Sequence, residues 1–87
     1  MAPWAVLGAC GLEGTFGFGA DDLFESAVKR AVAPCAKEVA VLADSSKIGM
    51  RARHKTLAPR AITHLVTDAS EHEVTALRDA GIDIHHA

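Results

Sequence analysis

An apolar run that stops abruptly at an aspartate limits the choice of fold more than any other stretch of this chain. Residues 38–49 read EVAVLADSSKIG, with Val39, Ala40, Val41, Leu42 and Ala43 unalternated and Asp44, Ser45, Ser46 and Lys47 directly after them. Five apolar residues in a row predict a strand covered on both faces, as in a parallel α/β sheet. In open sheets of that kind, ligands bind outside the carboxyl ends of the strands. Asp44, Ser45, Ser46 and Lys47 stand at that end and are the first candidate ligand contacts.

The neighbouring segments extend the same pattern. Trp4 to Cys10 (WAVLGAC) predicts another buried strand, followed by a glycine-punctuated stretch, GLEGTFGFG, expected to be a mobile surface loop. It lacks the GK[ST] of a phosphate-cradling loop, and it does not open a helix as a dinucleotide fingerprint would. Asp21 or Asp22 can cap a helix in which Leu23, Phe24, Ala27, Val28, Ala31, Val32 and Cys35 fill one half of the wheel. Glu25 and Lys29 border that apolar arc as an i,i+4 pair. Pro34 predicts a kink or an end between residues 33 and 36. Residues 48–60 carry Arg51, Arg53, Lys55 and Arg60, which with Lys47 read either as a plain solvated loop or short helix or as a cationic mouth that attracts a phosphorylated ligand. Ile62 to Thr67 predicts a strand, Ser70 and Glu73 a capping box opening a second helix closed by Gly81, and Ile82 to His86 a half-exposed edge strand. The order β–α–β–loop–β–α–β argues for an open, mostly parallel sheet with flanking helices.

Size and charge remove several function classes. Eighty-seven residues make at most one small domain, burying roughly 60–65% of its unfolded surface. A net charge of −2 gives no sign of direct nucleic-acid binding. No apolar stretch approaches the ~20 residues of a membrane span. Leu7-Gly8-Ala9-Cys10 has the shape of a lipoprotein cleavage box, but no basic residue precedes its short apolar run. Cys10 and Cys35 have no CxxC spacing, and free thiols of a cytoplasmic protein are expected. His54, His64, His72, His85 and His86 fall in different elements, and His85 and His86 point to opposite faces of one strand, so no metal site is expected.

Taken together, Gly8-Ala9-Cys10-Gly11-Leu12, Gly14-Thr15, Glu25-Ser26-Ala27-Val28-Lys29-Arg30, Leu42-Ala43-Asp44-Ser45-Ser46-Lys47-Ile48-Gly49 and Leu65-Val66-Thr67-Asp68 resemble the second half of the C-terminal effector-binding domain of DeoR-family bacterial transcriptional repressors. The resemblance covers roughly residues 5 to 86. It implies a fold similar to ribose phosphate isomerase, Rossmann-like in outline, that binds a phosphorylated sugar. It also implies a DNA-binding helix-turn-helix outside this chain, and no cofactor. By position it implies Asp44 and Lys47, with Ser45 and Ser46, as ligand contacts, and Glu25 and Lys29 as the border of the site. Cys10 stands where the family usually has an aspartate or another polar residue, and a thiol is a poorer partner for a sugar hydroxyl. Pro34 interrupts a helix that in the family runs through.

The expectation is therefore a single partial domain, residues 1–87, sensing a sugar phosphate for a cytoplasmic regulator. A sugar-phosphate isomerase using Asp44 or Glu25 as base with Lys47 polarising a carbonyl is the alternative enzyme reading. A ligand-free structural module is the other. With the first half of the sheet missing, an apolar edge at Trp4 to Leu7 should lie uncovered, and a homo-oligomer is expected.

Overall fold

The computed structural model describes residues 2–87 and contains two sheets. Strands β1 (Ala2–Gly8), β4 (Ala36–Leu42), β6 (His64–Thr67) and β7 (Asp83–His86) form an all-parallel sheet in the order β1-β4-β6-β7. Strands β2 (Gly11–Glu13), β3 (Gly17–Ala20) and β5 (His54–Leu57) form an antiparallel one in the order β2-β3-β5. Helix α1 (Leu23–Val32) links β3 to β4, and α2 (Thr75–Asp79) links β6 to β7.

The expected parallel sheet is present, with β4 in its interior. The antiparallel sheet corrects the sequence reading in two places. GLEGTFGFG is a buried hairpin rather than a mobile loop, and residues 54–57 form a strand inside the stretch expected to be loop or helix. At the hairpin turn, Glu13 Oε1 accepts hydrogen bonds from the Thr15 and Phe16 amides, both at 2.6 Å. Gly17 follows at φ +88, and a Cβ there would lie 2.2 Å from the Leu57 carbonyl oxygen. Only glycine meets both conditions. At Gly11 a Cβ would meet the Met50 carbonyl at 2.7 Å, so the glycine lets residues 50–52 lie directly on the hairpin.

The core lies between the sheets. Leu12 and Phe18 from the hairpin meet Val41 and Leu65 from the parallel sheet, with Val74 and Leu77 closing one end, all essentially inaccessible. Each such side chain contributes about 1.5–3 kcal/mol on burial. The strand alternation fixes which side chains reach this core. Val39 and Val41 point in, whereas Leu42 and, on β1, Trp4 and Val6 point to a second face of the sheet and are about half exposed or more. The prediction that β4 is covered on both faces is thus corrected: among the described residues one face is open. As expected, β1 is an uncovered edge strand, but the buried strand read over Trp4 to Cys10 is corrected: it ends at Gly8, and Trp4 and Val6 are exposed on the open face.

Helix α1 begins and ends as its sequence dictates. Asp22 caps it by accepting from the Phe24 amide at 2.8 Å, and the turn Ala33–Cys35 carries Pro34 just past its end. Its orientation is the larger surprise. Ser26 is fully buried with its Oγ 2.7 Å from Thr56 Oγ1, and Ala33 is buried two turns later. Leu23, Phe24, Val28 and Val32 face outward, Phe24 being 75% exposed. The apolar half of the wheel is the solvent face, because α1 lies against β5 and β3 through its small and polar side. The capping box forms as predicted, with the Ser70 amide donating to Glu73 Oε1 at 3.0 Å and the Glu73 amide donating to Ser70 Oγ at 3.3 Å. It opens a run of turns, and regular helix starts only at Thr75.

Candidate functional site

The carboxyl end of β4 is built as its sequence suggests. The chain leaves the strand at Leu42, and Asp44 then caps a 3-10 turn, Ser45–Lys47. Asp44 Oδ1 accepts from the Ser46 amide at 2.9 Å and from the Ser46 hydroxyl. These two bonds hold the Asp44 carboxyl below the usual carboxylate range, the hydroxyl contributing most, and the Lys47 charge adds to the effect. The Lys47 amide donates to the Asp44 carbonyl at 3.0 Å.

The next strand supplies a residue the sequence reading did not single out as a ligand contact. Asp68, directly after β6, accepts from the Ser45 amide through Oδ1 at 2.8 Å. Two strand-end aspartates therefore flank the Ser45–Lys47 turn, one in sequence and one across the sheet. The signal was present, since Ala43-Asp44 and Thr67-Asp68 end their strands in the same way. The turn also docks on the hairpin: Ile48 bridges to Leu12, and the Gly49 amide donates to the Leu12 carbonyl at 2.7 Å.

Lys29 reaches this same edge from α1. Its Nζ donates to the carbonyl of Gly8, the last residue of β1, at 2.8 Å and sits 5.3 Å from the centre of the Phe18 ring. Gly8 pairs with Leu42, so Lys29 stands beside the end of β4. The expected Glu25–Lys29 surface pair is absent among the described salt bridges, and Glu25 is exposed one turn earlier. Cys10 lies partly buried just past the same strand end, its amide donating to the Gly19 carbonyl at 3.2 Å. The structure thus brings Lys29, Asp44, Ser45, Ser46, Lys47 and Asp68 to one edge, with Cys10 beside them and Glu25 at the margin.

The wider cationic mouth does not form. Arg51 is held by Glu13 at 3.0 Å, Lys55 lies on β5 and Arg60 in the turn Pro59–Ala61, so these charges are spread over separate elements. Among the described residues no carboxylate makes a salt bridge with Lys47 or Lys29. The edge is a shelf rather than a cleft. One depression, lined by Trp4, Ala40, His64, Val66 and His85, lies on the open sheet face, and a second lies around Pro34, Lys37 and Arg60. Neither includes Asp44 or Lys47.

Chemically the shelf offers two ammonium groups that make no salt bridge among the described residues, two carboxylates and two hydroxyls. The amides of Ser45, Ser46 and Lys47 already have acceptors. An anion here must be held by side chains, not by a nest of backbone amides. No helix among the described residues is long and apolar enough to cross a membrane. No match to a curated protein was found. The family model described as the DeoR C terminal sensor domain matches residues 1–69, which span β1 to β6.

Proposed function

The chain belongs to the DeoR C-terminal sensor domain family, and from that premise we propose that its effector is a phosphorylated sugar bound at the carboxyl edge of the parallel sheet. The observation that supports this most is that Lys47, which makes no salt bridge among the described residues, shares one short turn with the strand-end aspartate Asp44, and that Asp68 docks on the same turn. Lysine serves as a point charge for phosphate, and the aspartates accept hydrogen bonds from sugar hydroxyls. Lys29 adds a second cation from the side of β1, while Ser45 and Ser46 add hydroxyls. Glu25 and Cys10 border the shelf. The parallel sheet is taken to correspond to that of ribose phosphate isomerase, with the ligand outside the same strand ends.

A sensor reading also fits the electrostatics better than an isomerase does. A general base works best with a pKa near the operating pH, whereas the Ser46 bonds push Asp44 downward. That suits a permanent acceptor. In this reading a cytoplasmic regulator reads the sugar phosphate here, and a helix-turn-helix module outside this chain contacts DNA. The outward apolar arc of α1 and the open face at Trp4 and Val6 support association into a homo-oligomer.

Calorimetric titration with a panel of aldose and ketose phosphates, each beside its unphosphorylated sugar, tests the proposal. A phosphorylated member should bind at least ten-fold more tightly than its sugar. Equal affinity for the two forms across the panel would remove the phosphate from the reading.

A further inference from the structure

The open face of the parallel sheet carries a cluster that the effector reading does not use. His64 on β6 pairs in register with Asp83 on β7, and His85 follows Asp83 by two residues, so all three project from the same face. His64 Nδ1 lies 3.1 Å from His85 Nε2 and 3.6 Å from Asp83 Oδ2, and His85 Nε2 lies 3.7 Å from that same oxygen. Three donor atoms at these spacings outline one face of a small tetrahedron. A cation roughly 0.7 Å out of their plane would stand roughly 2.1 Å from each, the distance at which zinc takes imidazole and carboxylate ligands.

A fourth residue sets the chemistry of the central ligand. Glu38 on β4 places Oε1 2.9 Å from His64 Nε2. A carboxylate only accepts, so Nε2 carries the hydrogen, and in the neutral ring the Nδ1 lone pair is left for a metal ion placed between Nδ1, His85 and Asp83. This is the carboxylate–histidine–metal relay that orients ligating imidazoles in metal sites. Trp4 closes the other side, with its ring centre 4.9 Å from that of His64. Every ligand sits on a strand and His64 is largely buried, so the arrangement is preorganised by the sheet.

We propose that His64, Asp83 and His85 form a binding site for a divalent transition-metal ion, zinc above all, with Glu38 as the positioning residue and a fourth coordination position open to water. A hard cation such as magnesium would not favour a site with two imidazoles. The ion would fasten edge strand β7 to β6 on the open face of the sheet, with none of its ligands among the residues of the effector shelf. It is therefore independent of the effector reading.

The test uses the intact chain, stripped with a chelator and titrated with Zn2+ against a chromophoric competitor, then with Co2+. One equivalent of Zn2+ should bind. Co2+ should give tetrahedral visible bands and quench the fluorescence of Trp4, the single tryptophan. Asp83→Ala and His85→Ala should each weaken binding at least ten-fold, and Glu38→Gln ten- to a hundred-fold. His86→Ala, on the opposite face and bonded to Glu71 and the Ala69 carbonyl, should leave it unchanged. Failure to bind one equivalent of Zn2+ at 100 μM, or unchanged affinity in both ligand variants, would overturn the proposal. Should a variant unfold, the Co2+ bands and Trp4 quenching of the unaltered chain decide alone: bands without quenching would place the ion elsewhere.

Discussion

The orientation of α1 reverses the ranking of its side chains that the sequence suggests: Phe24 should matter little and Ser26 a great deal. A helix packed through its apolar arc would lose about 3–5 kcal/mol on Phe24→Ala. Here Phe24 is 75% exposed, so only a quarter of its surface is buried. A quarter of the 1.5–3 kcal/mol for full burial is about 0.4–0.8 kcal/mol, partly offset by the higher helix propensity of alanine. Ser26 should behave the other way. It is fully buried against Thr56, so Ser26→Leu removes a hydrogen bond of about 1 kcal/mol and overpacks the contact by about 1–3 kcal/mol. The sum, about 2–4 kcal/mol, corresponds to a fall in Tm of roughly 8–32 °C for a domain of this size. Urea unfolding at two low protein concentrations measures both variants while keeping association out of the comparison. A loss above 3 kcal/mol in Phe24→Ala together with a neutral Ser26→Leu would refute the outward arc and turn the helix half a revolution.

Other perturbations read different parts of the fold. Gly17→Ala should cost at least ~2 kcal/mol in urea unfolding, from positive-φ strain and the approach to the Leu57 carbonyl. The Glu71 carboxyl is lowered to about 2, chiefly by its hydrogen bond to Arg78 and then by that to His86. Its folded value lies below its unfolded one. The stability it contributes is therefore complete above pH 4.5 and lost as pH falls toward 2. Glu71→Gln should flatten that part of a melting-temperature profile, and an unaltered acid limb would remove the assignment. Sedimentation across a concentration series should show self-association that Val28→Lys, on the outward arc, weakens; a monomer at every concentration would leave that arc without a partner.

How far the sequence could be read follows from what each signal encodes. EVAVLADSSKIG shows its own strand and its own polar end, because both are local, and Asp22, Pro34 and the Ser70–Glu73 box mark chain direction locally as well. The helical wheel of α1 shows which half is apolar, but not which surfaces the rest of the chain offers it. Residues 11–20 hide a hairpin because its strands are only three and four residues long and glycines at 11, 17 and 19 leave Leu12 and Phe18 as isolated large apolar residues with no period-two run around them. Asp68 joins the Ser45 turn only through the pairing of β4 with β6, and His64 meets His85 only through the register of β6 with β7. Neither pairing is visible along a single strand.

The central claim is that Lys47, beside Asp44 at the end of β4, holds the phosphate of the effector. Calorimetric titration of the best-binding sugar phosphate into the unaltered chain and into Lys47→Ala tests it most directly. Lys47 is partly exposed and makes no salt bridge among the described residues. The account therefore predicts at least a ten-fold loss of affinity with Tm unchanged within about 3 °C, which is under ~1 kcal/mol for a domain of this size. Undiminished affinity in a folded Lys47→Ala protein would contradict it.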